Sequence, residues 1–249
     1  SNGKTTLLLA LHDALGADYC TTAPPKLLLA RGGEAHPTEL ADLAGRRLVT
    51  TSEVPRDAAF DEERLKLLTG SDRLKARRMR EDFSEFIPTH KLVLAANDLP
   101  DVRDRSDGMW RRLLVIPFES RFSNTSLERD LASVLRSERR GILAWLVRCA
   151  VEWRRHGLAR PLAVANAVTA YRARVHPIEA FALAVAEEWR DGVALAEFRA
   201  RFGEWTGETG PHQISEKRLA AELRELGWTD RHYNTGNRWC PPVTRGTCS

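Results

Sequence analysis

Three short apolar runs constrain the first half of this chain most: Arg47 to Ser52 (RLVTTS), Lys91 to Ala96 (KLVLAA) and Leu113 to Pro117 (LLVIP). Each is bounded by charged or turn-forming residues and reads as a strand of the buried type. Helical and loop stretches separate them. Thr5 to Leu15 (TTLLLALHDAL) is leucine-rich and stops at Gly16, residues 31 to 45 read as loop and short helix, and Asp61 to Leu68 is a short amphipathic helix closed by Thr69-Gly70. Leu74 to Phe86 alternates unevenly and reads as two short strands around a charged turn near Arg80 to Asp82. Strands alternating with helices predict an α/β fold with a parallel sheet.

From Leu127 to Arg174 the period is helical: Leu127, Leu131 and Leu135, then Ile142, Leu146, Ala150 and Trp153. Val175-His176-Pro177 breaks the pattern. Beyond it come helical stretches at Ile178–Arg190, Ala194–Trp205 and Ser215–Leu226, the last stopped by Gly227. Residues 228 to 240 read as two strands around Asn234-Thr235-Gly236-Asn237, a turn signal. Three helices and a hairpin are the pattern of a winged helix. The predicted organisation is a core at residues 1–124, a helical extension at 125–176, and a small winged-helix domain at 177–249 that ends in a loose tail.

Composition removes several classes. At 43% hydrophobic and 29% charged residues the chain is neither disordered, collagen-like nor a coiled coil. No apolar run reaches the roughly 18 to 20 residues that span a bilayer, so no membrane is expected as partner. Cys20, Cys149, Cys240 and Cys248 are scattered without a C-x-x-C pair, which argues against zinc and fits a reducing cytoplasm. The opening Ser1-Asn2-Gly3-Lys4 reads like the middle of a motif, and the expectation is a piece of a longer protein. Only six of the 38 basic residues are lysines, and the formal charge is +4. A GC-rich genome accounts for abundant arginine but not for its clustering. Residues 73 to 80 (RLKARRMR) carry five positive charges and no negative one.

Gly3-Lys4-Thr5 running into a helix matches the second half of the phosphate-binding loop G-x-x-x-x-G-K-[ST]. Amides at a helix N-terminus cradle phosphate, the lysine neutralises its oxygens, and a threonine hydroxyl holds magnesium. Glu53 follows the strand 48–52, where a carboxylate either polarises water and joins the magnesium shell or simply ends a strand at the surface. Asn97 follows the strand 92–96 in Ala-Ala-Asn-Asp-Leu-Pro; it either orients an attacking water or makes an Asx turn before Pro100. Arg111 and Arg112 precede the strand 113–117, and one of them is a candidate arginine finger reaching a neighbouring subunit's nucleotide. These residues occur in the order a nucleotide-hydrolysing core needs.

The ordered set resembles the helicase part of phage and plasmid primase–helicases, relatives of the poxvirus primase-helicase within the superfamily 3 helicases. The residues that carry the resemblance are Ser1-Asn2-Gly3-Lys4-Thr5-Thr6, Val49-Thr50-Thr51-Ser52-Glu53, Leu68-Thr69-Gly70-Ser71-Asp72 with Ala76-Arg77, Phe86-Ile87-Pro88, Lys91 to Asn97, and Arg111-Arg112 to Pro117-Phe118. Gly141-Ile142-Leu143-Ala144-Trp145, Pro177-Ile178-Glu179-Ala180-Phe181 and the segment Ser215 to Trp239 also match. Many P-loop enzymes place an Asp before the catalytic Glu; here Ser52 stands there, which puts more of the metal and water work on Glu53.

The resemblance implies an AAA+-like P-loop sheet with helices on both faces, and a ring, taken as a homo-hexamer, with ATP and Mg2+ between subunits and single-stranded DNA in the channel. It admits a fused or partner primase domain. Ser1, Asn2, Gly3, Lys4, Thr5 and Thr6 would then bind nucleotide, with Thr5 and Glu53 on the metal. The segment Leu74 to Pro88 corresponds to the hairpin that projects into the channel, so Lys75, Arg77, Arg78 and Arg80 would contact single-strand phosphates independently of sequence. In the winged helix, Arg218 and Arg238 are candidates for duplex phosphates, while docking of a protein by the same module stays open. The expected function is ATP-driven unwinding of duplex DNA by translocation on single strands. The alternatives are an ATP-dependent DNA-binding switch for origin assembly and a fragment that cannot bind ATP because half its loop is missing.

Overall fold

The computed structural model describes residues 2–30, 37–52, 54–120, 131–207, 214–233 and 236–242. The chain divides into two compact units, Ser1–Val168 and Thr169–Ser249.

The first unit is built on a three-stranded parallel sheet. Helix α1 (Lys4–Leu15) precedes strand β1 (Cys20–Thr22), and after the short helix α2 (Pro37–Ala41) comes β2 (Leu48–Ser52). Helix α3 (Glu62–Leu68), a hairpin of β3 (Leu74–Ala76) and β4 (Ser84–Phe86), and β5 (Lys91–Ala95) follow. The sheet order is β1-β2-β5, with Cys20 opposite Leu48 and Ser52 opposite Ala95. As the middle strand, β2 is buried from Leu48 to Thr51, which is why its sequence is apolar and β-branched rather than alternating. Helix α1 is fixed over the sheet by His12 Nε2, 2.9 Å from Thr50 Oγ1. Helix α3 starts where Asp61 accepts a 3.0 Å bond from the Arg64 amide, and Glu62 and Glu63 suit its positive end.

One expected strand is absent. Leu113 to Pro117 joins no sheet among the described residues, and Leu114 and Ile116 are exposed. An apolar run becomes a strand only where a neighbour takes its backbone groups. Among the described residues β5 is paired only through the edge it shares with β2. Ahead of that segment, the four-residue helix α4 (Asp107–Trp110) is capped by Ser106, and Met109 and Trp110 are buried. The helical region contains α5 (Leu131–Ser137), α6 (Arg139–His156) and α7 (Leu162–Val175). Both α5 and α6 pack on α1. Of the residues that set the helical period there, Leu135, Ile142 and Leu146 are half-buried, while Leu131, Ala150 and Trp153 are exposed. Leu127 lies outside the described residues.

The second unit has helices α8 (Pro177–Val185), α9 (Leu195–Thr206) and α10 (Glu216–Glu225) and a hairpin of β6 (Thr229–Tyr233) and β7 (Gly236–Cys240). Pro177 opens α8, where its missing N–H costs nothing. The core is aromatic: Phe181 meets Phe198 edge-on at 5.2 Å between centroids, and Phe198 meets Trp228 at 5.6 Å. Leu219 and Leu223 complete it from α10. The hairpin is tied to this core by reciprocal backbone bonds of 3.0 and 2.8 Å between Val193 and Trp239. Asn234 and Thr235, at the expected turn, lie outside the described residues, as does the tail from residue 243.

Candidate active site

Parallel strands end together, so Ser52 and Ala95 lie side by side at the carboxyl edge of the sheet. Chain segments leaving that edge converge where open α/β sheets place their ligands. Asn97 lies two residues beyond β5. The Lys4 ammonium, on the first residue of α1, donates a 3.0 Å hydrogen bond to Asn97 Oδ1 across 93 residues of sequence. The N-terminus of α1 is thereby brought to the strand tips.

That helix end has features that suit an anion. Gly3 holds φ 83°, a left-handed conformation that glycine adopts freely, and it turns the chain into the helix. The first helical bond is Leu7 N to Gly3 O at 3.0 Å, so the amides of Lys4, Thr5 and Thr6 precede the helical ladder. The first turn carries no acidic side chain, and Thr5 is exposed on it. Asn2 reaches the other way, its Nδ2 donating at 3.1 Å to the carbonyl of Phe118. The ammonium, the helix amides, the Asn97 amide and a Thr hydroxyl together can hold a polyphosphate and orient a water beside it. Among the described residues no group of three or more His, Cys, Asp or Glu forms a metal cage. Magnesium bound mainly through phosphate oxygens, with one or two protein oxygens, asks for no such cage. Ser1 and Glu53 lie outside the described residues.

The two arginines separate. Arg111 is exposed, whereas Arg112 is half-buried and turns back, its Nη1 donating to the Gly108 carbonyl of α4. The loop that presents them is held firmly. Glu62 Oε1 accepts from the amides of Arg103 and Asp104, and the Asp101 amide donates to Ala58 O at 2.7 Å. Hydrogen bonds from Lys66 and then Ser106 hold the Asp104 carboxyl down at about 2. None of this clamp, nor the partner of Lys4, is signalled by local sequence.

The basic cluster forms the β3–β4 hairpin, with Leu74 opposite Phe86 and Lys75 opposite Glu85. Leu74 and Ala76 are buried, while Lys75, Arg77, Arg78 and Arg80 are all exposed. In the second unit Arg218 is exposed on α10 and Arg238 on β7, where it stands directly opposite Arg231. Like charges so placed repel, unless an anion joins them.

Residues 1–112 match a family described as a family of unknown function (DUF5906). The chain is 26% identical over 226 residues to a protein of Acanthamoeba polyphaga mimivirus named "Putative helicase L207/L206", covering 82% of this chain and 24% of that protein. It is 32% identical over 129 residues to "Putative helicase 022R" of Frog virus 3, covering 49% of this chain and 13% of that protein. The chain thus spans a quarter or less of the viral relatives it matches. In fold it is similar to the apo structure of the NrS-1 C-terminal region (305–718), at a TM-score of 0.54 and 12% identity, over 96% of this chain and 64% of the other. That likeness is one of fold.

Proposed function

We propose that this chain is the motor part of an ATP-driven DNA helicase of the primase–helicase type, with its nucleotide site at Gly3–Thr6, Asn97 and Arg111. The observation that carries the reading is the Lys4–Asn97 bond, because it joins an anion-binding helix end to a polar strand tip in a parallel sheet. The similarity to viral proteins named as helicases supports the same assignment.

In this reading Lys4 and the first-turn amides hold the terminal phosphates and Asn97 orients the attacking water. Arg111, free of the contact that occupies Arg112, meets the charge that develops on the transferred phosphoryl group. Bound magnesium would supply charge neutralisation, held by the Thr5 hydroxyl and the Glu53 carboxylate. The hairpin grips single-stranded DNA through the phosphates facing Lys75, Arg77, Arg78 and Arg80, inside a ring of copies. Helices α8–α10 with the β6–β7 hairpin act as a winged helix whose Arg218 and Arg238 contact duplex phosphates.

The hairpin assignment is tested by changing Arg77, Arg78 and Arg80 together to Ala. Each phosphate contact to a single strand contributes about 0.7 to the salt slope, so the triple variant should flatten it by about two. Strand separation and DNA-stimulated ATPase should fail together while basal ATPase survives. Unaltered unwinding would overturn the assignment.

A further inference from the structure

The tip of the β3–β4 hairpin carries more than charge. Phe83, just before β4, is 50% exposed, and Met79, within the turn, is 76% exposed. Lys75 Nζ lies 5.4 Å and Arg77 Cζ 4.7 Å from the centre of the Phe83 ring. The hairpin is anchored through Leu74 and Ala76, on the opposite face of β3 from Lys75, so its anchoring does not use the Phe83 ring. The turn is closed by Glu81 N to Arg78 O at 3.2 Å, and Arg80 within it has φ 64°. Glycine holds that conformation without strain and arginine does not, which fits a side chain kept there for its charge.

A half-exposed aromatic ring with two cations lying over it matches one ligand chemistry closely. Every nucleobase offers a flat face for stacking and carries phosphates on either side. A protein groove seated on this tip would have to desolvate Arg77, Arg78 and Arg80 without three phosphates to pair them. A duplex keeps its base faces inside the stack.

We propose that Phe83 is a stacking platform for an unpaired nucleobase, with Lys75 and Arg77 contacting the phosphates that flank that base and Met79 packing against its edge. This rests on the reading of the hairpin as a single-strand contact and adds to it a recognition of bases. The motor would then grip bases as well as backbone, and it would prefer single strands over duplex without preferring a sequence.

The test uses the full chain and two ligands of equal length, a thymidine oligonucleotide and the same strand with every base removed. Phe83→Ala should bind the oligonucleotide roughly 5- to 150-fold more weakly, the range for losing one stacked base. It should bind the abasic strand as wild type does and leave the salt slope unchanged. Phe83→Trp should retain oligonucleotide binding, whereas Phe83→Leu, apolar but not aromatic, should lose it. Binding of both strands weakened equally by Phe83→Ala, or full binding by Phe83→Leu, would overturn the stacking role. Those outcomes leave the phosphate contacts standing, because those contacts fall only if Arg77, Arg78 and Arg80 prove dispensable for either strand.

Discussion

Replacing Asn97 separates the catalytic reading from a structural one. Its bond to Lys4 is 3.0 Å long and exposed. A charge-assisted hydrogen bond in water, screened by solvent, contributes less than about 1 kcal/mol to stability. Asn97→Ala should therefore lower the melting temperature by no more than about 4 °C in a protein of this size. Removing the group that orients the attacking water should cost about 10² in turnover, equivalent to about 2.7 kcal/mol of barrier. ATP affinity should stay near wild type in Asn97→Ala, since Lys4 is left free for phosphate. Asn97→Asp should behave differently: the carboxylate holds Lys4 more tightly and repels phosphate, so affinity should fall as well as turnover. Nucleotide titration, steady-state ATPase and thermal melts on the same preparations separate these effects. Wild-type turnover in Asn97→Ala, or a turnover loss matched by a large loss of stability, would refute the reasoning.

Arg111→Ala should reduce ATPase by about 10³ or more with an unchanged melting temperature, whereas Arg112→Ala should lower the melting temperature by removing the contact to Gly108. If Arg111 acts across subunits, mixing Arg111→Ala with Lys4→Ala protein should restore part of the activity, and the absence of any restoration would count against a trans role. Because the folded Asp104 carboxyl titrates at about 2 against an ordinary 3.8, its contribution is present above about pH 4 and is lost as pH falls toward 2. Asp104→Asn should cost about 1 kcal/mol by denaturant unfolding at pH 7, and the difference from wild type should shrink between pH 4 and pH 2; a constant difference across that range would show that the ion pair with Lys66 is not its source.

Much of the architecture was legible because it is local. β2, α3, β5 and both hairpins follow from short apolar runs, an Asp cap and turn residues, each read within a dozen residues. The helices of the second unit follow from 3.6-residue spacing and from Pro177, which sits where α8 begins. What failed depended on distant partners. Cys20–Thr22 is three residues long and becomes a strand only because Leu48–Thr50 lies beside it. Leu113–Pro117 has the composition of a strand but no neighbour to pair with among the described residues. At the site, residue types and order indicated Lys4 and Asn97 separately. Their contact, and the fixing of Phe118 by Asn2, come from chain folding across roughly a hundred positions. The contact of Arg112 with Gly108 likewise depends on α4 and is not signalled by the spacing of the two arginines.

The most direct test of a nucleotide site at the N-terminus of α1 is ATP turnover by the protein, with and without single-stranded DNA, for wild type and Lys4→Ala. The Lys4 ammonium is bonded to Asn97 beside the strand tips, so wild type should hydrolyse ATP and be stimulated by DNA, and Lys4→Ala should neither bind ATP nor turn it over while melting at the same temperature. Equal ATP turnover by the two proteins would contradict the account.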